Sequence, residues 1–106
     1  MKIKLNYNEF TLGFLAQNSQ GYVWTPDVNE INKAKEKYEY GMDMFFLPSV
    51  QKVYTFIPRH FNEFLEASDR ADLMEKAHID DSDSDFVRLY KLSKLDFFNQ
   101  EFVIKS

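Results

Sequence analysis

The side chains able to do chemistry are few, so each group can be weighed in turn. Two histidines, His60 and His78, occur in 106 residues, and there is no cysteine. His60 stands three residues before Glu63, about one helical turn away, and the two could be written as an acid–base pair. No Gly-rich phosphate loop, HExxH or GxSxG pattern accompanies them. A histidine near a glutamate on a helix surface is ordinary, and that is the preferred reading. Asp81, Asp83 and Asp85 mimic the D-x-D-x-D start of a calcium loop. Where that loop needs glycine the chain has Phe86, and where it needs a bidentate glutamate it has Leu92. The acidic run reads better as a solvated cap, since negative charge is favoured at a helix N-terminus. No metal and no cofactor is expected. Trp24, just before Thr25-Pro26, is read as packing at the core edge, with an interface anchor as the alternative.

Composition narrows the classes further. Without cysteine there can be no disulfide framework, thiolate metal site or cysteine nucleophile. Seventeen acidic residues against thirteen basic give a net charge of −4. That balance argues against direct nucleic-acid binding, which needs clustered Lys and Arg to replace phosphate counterions. It suits a basic protein partner. The opening MKIKLNYNEF alternates and lacks an apolar h-region, so no signal peptide is expected. With no apolar run long enough to span a bilayer, a cytoplasmic location is expected. Aromatic residues make up 17% of the chain, eleven of them Phe, which is enough to build a core and to leave some at a partner surface.

The elements that must position these residues follow from periodicity. Ile3 and Leu5 share one face of a first strand, and Phe10, Leu12, Phe14 and Ala16 share one face of a second. Tyr7-Asn8-Glu9 is a hairpin loop, Asn18 to Gly21 a second turn, and a third strand starts at Gly21. After Pro26 and Asp27, the pair Val28 and Ile31 predicts a short helix or turn, then a charged surface segment. MDMFFL (42–47) reads as a fourth strand covered on both faces and closed by Pro48. Ile57, Phe61, Phe64 and Leu65 predict a helix starting at Pro58. Ser68 or Asp69 should cap a next helix burying Leu73, Met74 and Ala77. A third helix carries Phe86, Leu89 and Tyr90, and a last strand places Phe98, Phe102 and Ile104 on one face. The prediction is one domain, residues 1–106, of α+β class. It has a small antiparallel sheet of about five strands with three helices packed on one side.

Taken in order, these pieces resemble the N-terminal subdomain of the HipA-type Ser/Thr kinase toxins. NEFTLGFLAQ is similar to that family's g-x-x-v-G-x-L hairpin strand, with Gly13 at the family glycine. QGYVWTPD is similar to its Gly-aromatic strand running into Y-D-P, with the order altered. MDMFFLPS matches its LSLSLPL strand through Leu47 and Pro48. HFNEFLEASDR and LMEKAHIDDSDSDFVRLY follow the course of FFxNLLPEGxxR and the helices after it. The PEG turn is here Glu66, Ala67 and Ser68, and the final GxDxxGA keeps only Asp96. No ATP-binding or catalytic-loop motif is present, and the chain is expected to end where such a protein would enter its kinase.

The resemblance is to free-standing HipS-like antitoxins of split HipBST toxin–antitoxin systems. It implies a non-catalytic subunit that binds and neutralises a HipT-type Ser/Thr kinase toxin, whose targets the family implies to be aminoacyl-tRNA synthetases. It also implies an indirect association with DNA through a HipB-type DNA-binding protein. An alternative is a structural subunit that completes the split kinase and its DNA-bound complex without inhibiting it. A remote alternative is a small enzyme using His60 and Glu63. At the position of the PEG loop, Phe64, Glu66, Ser68, Asp69 and Arg70 are then the expected kinase-contacting residues. The resemblance implies Glu66, Ser68 and Asp69 as acceptors for Lys or Arg of a nucleotide-binding cleft.

Overall fold

Strict alternation makes the first strand. β1 (Lys2–Tyr7) buries Ile3, Leu5 and Tyr7 and leaves Lys2 and Lys4 exposed. A turn with Asn8 at φ 51° leads into β2 (Phe10–Asn18), a conformation that Asn tolerates better than most residues. The computed structural model describes residues 1–38, 47–99 and 102–106.

β2 departs from simple alternation. Leu5 pairs with Gly13 and Asn6 with Thr11, so Leu12 is the extra residue of a β-bulge. The bulge divides the expected stripe of Phe10, Leu12, Phe14 and Ala16. Leu12 and Leu15 are fully buried, whereas Phe14 and Ala16 pair with Lys4 and Lys2 and share the opposite face of the sheet. Gly13 sits beside the bulge at φ 155°. A Cβ there would come within 2.6 Å of the Thr25 carbonyl oxygen and 2.7 Å of the Trp24 ring.

The Asn18 side chain accepts from the N–H groups of Gln20 and Gly21, closing the turn into β3 (Gly21–Pro26). Trp24 on β3 is completely buried, and its Nε1–H donates to the Pro48 carbonyl at 3.1 Å. It is a core residue, as its sequence position suggested.

Asp27 caps α1 (Val28–Lys37) by accepting from the Glu30 N–H. This is a full helix of 10 residues rather than a short helix or turn. It buries Ile31 and Ala34 while Val28 stays exposed. Tyr38 closes it, edge-on to Tyr7 and Phe10, and both Lys37 and Tyr38 donate to the Glu9 carboxylate.

Of the strand expected at 42–47, all but Leu47 lies outside the described residues. Leu47 is buried. The fourth described strand is β4 (Lys52–Tyr54), too short for its periodicity to have marked it, and it pairs with β3.

The helix expected from Pro58 opens as a 3-10 turn, Arg59–Phe61, and continues as α2 (Asn62–Ala67). Ile57, Phe61 and Phe64 are buried as the spacing predicted, and Leu65 is half-buried. α3 (Ala71–Ala77) turns Leu73 and Ala77 inward. α4 (Asp85–Ser93), capped by Ser84 through the Val87 N–H, buries Phe86, Leu89 and Leu92. The C-terminal segment is a hairpin rather than one strand: β5 (Phe98–Asn99) pairs with β6 (Phe102–Lys105).

Among the described residues the sheet is antiparallel throughout, in the order β4-β3-β2-β1-β6-β5; β4 is not among the expected strands, and the strand expected over 98–104 is divided between β5 and β6. Four described helices, rather than three, pack on it, because the charged segment after Asp27 is helical. Ile3, Leu5, Leu15, Trp24 and Ile104 from the sheet form one core with Phe61, Phe64, Phe86 and Leu89 from the helices. Tyr22 stacks on Phe86 at 6.1 Å, and Trp24 meets Phe61 edge-on at 5.8 Å. Much of the heavy aromatic content is therefore spent between the sheet and its helices. No helix among the described residues is long and apolar enough to cross a membrane.

Candidate functional site

The corner between α2 and α3 is built by successive backbone bonds. The N–H of Ser68 bonds to the carbonyls of Phe64 and Leu65, that of Asp69 to Glu66, and that of Arg70 to Ala67. The corner divides the five expected contact residues. Phe64 is 3% exposed, with its ring edge-on to Phe97 at 6.2 Å, and Ser68 is fully buried with its hydroxyl donating to the Leu65 carbonyl. Neither is at the surface to meet a partner. Both carry the helix end onto the core instead.

Glu66, Asp69 and Arg70 are exposed. Asp69 accepts from Arg88 Nη1 at 2.7 Å, and Arg70 grips Asp72 through Nη2 at 2.8 Å and Nε at 3.3 Å. The Arg70 guanidinium holds the Asp72 carboxyl below its usual range. The N-cap of α3 is Arg70, with no side-chain bond, so the cap expected from Ser68 or Asp69 is not made. The surface of the corner thus presents three exposed carboxylates, Glu66, Asp69 and Asp72, of which Asp72 is paired with Arg70 and Asp69 with Arg88.

Arg88 of α4 is the residue that sequence reasoning missed. Its side chain is 12% exposed, and besides Asp69 it donates to the carbonyls of Asp83 and Asp81 at 3.1 and 2.9 Å. It ties the loop before α4 to the corner. Lys91 donates to the His78 carbonyl and to Asp83 Oδ2, and this bond holds the Asp83 carboxyl below its usual range. Asp83 also accepts from the Asp80 N–H. Of the acidic run, the Asp83 carboxylate is thus occupied with its own loop and helix. Among the described residues no group of three or more His, Asp or Glu is placed to hold a metal ion. Nothing short of the fold brings Asp69 to Arg88, 19 residues apart.

His60 is wedged between rings, its centroid 4.5 Å from Trp24 and 4.8 Å from Phe61. Its Nε2 is buried with no hydrogen-bond partner, and burial lowers its pKa from 6.5 to about 4. The imidazole is neutral at pH 7 and packs as an aromatic plate. Glu63 lies exposed one turn on. Comparison with known proteins finds no matching family model, no matching curated protein and no matching solved structure.

Proposed function

We propose that this chain is a non-catalytic binding subunit, a HipS-like antitoxin that docks on a HipT-type Ser/Thr kinase and holds it inactive. The reading rests on the ordered sequence resemblance. The observation that carries it is the exposed acidic corner at the position of the family's PEG loop. Glu66 and Asp69 there can accept charge-assisted bonds from Lys or Arg lining a nucleotide-binding cleft, and such bonds are the strong ones. Asp69 arrives already oriented by Arg88, which lowers the entropy lost on docking. Phe64 and Ser68 act beneath the surface, by holding the corner's shape. A HipB-type DNA-binding protein would be reached through the kinase complex.

The test is a Glu66→Lys, Asp69→Asn double variant, which reverses one exposed charge and removes another. Its thermal melting should fall only slightly, because the Asp69 side chain is 73% exposed, Arg88 keeps the carbonyls of Asp81 and Asp83, and the introduced asparagine can still accept from it. Kinase binding should weaken at least about tenfold, as expected when charge-assisted contacts are removed. A folded variant that binds and neutralises the kinase like the parent would remove the corner from the account.

A further inference from the structure

We infer that the sheet face opposite the helices is a second docking surface, one that takes an acidic amphipathic helix of a partner protein. This inference does not rest on the kinase reading. Register defines the face. Lys2, Ala16, Val23 and Val53 lie in one row across β1 to β4, and Lys105, Lys4, Phe14 and Thr25 lie in the next. Lys2 and Lys4 are exposed, Val53 is 46% exposed, and Phe14, Ala16 and Val23 are half-buried. All four described helices contribute buried residues to the core on the other side.

The charge on this face is unusual for the molecule. Although acidic residues outnumber basic ones in the chain, the described strands contain no Asp or Glu at all. Lys4 and Lys105 sit directly opposite each other on β1 and β6, an arrangement that destabilises a sheet unless negative charge covers it. Lys2 lies on the same strand two residues from Lys4, with its Nζ 4.3 Å above the Phe14 ring. Lys2, Lys4 and Lys105 form no ion pair with the described residues. The lysines therefore line one side of an apolar floor made by Phe14, Ala16, Val23 and Val53.

A helix fits this pattern better than other occupants. Lys2 and Lys4 are about 7 Å apart along the strand. Carboxylates at i and i+4 of a helix are about 6 Å apart along its axis. A helix lying along the strands would set its apolar stripe on the floor and its acidic flank over the lysines. A cleft of about 360 Å³ between this face and the start of α1, lined by Thr11, Phe14, Thr25 and Val28 among others, offers a seat for one larger apolar side chain. A second copy of this chain would bring three more lysines to the interface. Duplex DNA has no apolar stripe to set on the floor, and three lysines fall short of the clusters of about four to eight that anionic membranes and phosphate backbones call for.

The test is a titration of the isotope-labelled full chain, followed by amide chemical shifts. The probe is a designed helical peptide of about five turns with a leucine stripe flanked by glutamates at i, i+4 spacing. Shifts are expected at Lys2, Lys4, Phe14, Ala16, Val23 and Val53. Affinity should fall at least about tenfold for a Lys2→Glu, Lys4→Glu variant, and should fall as salt is raised. The same stripe flanked by lysines should not bind. Equal binding of the two peptides overturns the proposal, as do shifts confined to the α2–α3 corner or an absence of shifts. Anionic phosphatidylglycerol vesicles or duplex DNA producing the face's shifts where the acidic peptide does not would equally overturn it.

Discussion

Replacing His60 with Phe should remove an acid-sensitive weakness from the core. In the folded chain the imidazole lies between Trp24 and Phe61, its Nε2 is unpartnered, and its pKa is lowered to about 4. In the unfolded chain it returns to about 6.5. Between those values the unfolded state binds the proton and the folded state does not, so stability rises with pH through this window and falls as pH drops. A gap of about 2.5 pH units at about 1.4 kcal/mol each sets a ceiling of about 3.5 kcal/mol, of which about 3 kcal/mol is lost by about pH 4. Partial exposure of the ring brings the real loss below that ceiling. Phe keeps a flat ring there and no hydrogen bond of Nε2 is lost, but its ring is larger, so His60→Phe should cost about 1–3 kcal/mol at pH 7. Urea unfolding of both proteins from pH 7 to pH 4 isolates the effect. The carboxylates of Asp72 and Asp83, whose pKa values are also lowered, titrate alike in both proteins and cancel in the difference. The stability gap should move in favour of the variant by about 2–3 kcal/mol on acidification. A difference that stays flat with pH would refute the buried, neutral histidine.

Three further outcomes follow from the packing. Gly13→Ala should destabilise by about 3 kcal/mol in urea unfolding. The positive φ costs about 1–3 kcal/mol for a residue with a Cβ, and that atom would collide with the Thr25 carbonyl and the Trp24 ring. Arg88→Ala should cost about 2–3 kcal/mol, because it leaves the carbonyls of Asp81 and Asp83 without this partner; Arg88→Lys should rescue it only in part, lacking the planar fork. Trp24→Phe should cost about 2 kcal/mol, from one lost hydrogen bond to Pro48 and a small cavity, read as a lowered melting temperature.

The parts legible in the sequence were those whose signals are local. Alternation of Ile3 and Leu5 with lysines, the Asn18 turn, and the stripe of Ile57, Phe61 and Phe64 each need only a few neighbouring residues to be read. The bulge at Leu12 was not legible, because one extra residue leaves an alternating pattern plausible on paper while sending Phe14 and Ala16 to the other face. α1 was hidden by its charges: only Ile31 and Ala34 are buried, and Ala34 gives a weak apolar signal. At the corner, polarity alone put Ser68 at the surface, whereas its hydroxyl turns back onto the Leu65 carbonyl inside the helix end. The tie from Asp69 to Arg88 and the row of lysines on the open face depend on long-range pairing, which single-sequence periodicity does not contain.

The central claim, neutralisation of a kinase by binding, is tested most directly by co-expression. Cells making a HipT-type kinase encoded beside this chain should stop growing when the kinase is induced alone. They should resume growth when this chain is made with it. Rescue by the parent chain together with failure of the Glu66→Lys, Asp69→Asn variant is the predicted result. Growth arrest that persists with both proteins folded and bound to each other would contradict inhibition and leave the chain as a structural complement of the kinase. Arrest that persists with no complex formed would contradict the kinase-binding account altogether.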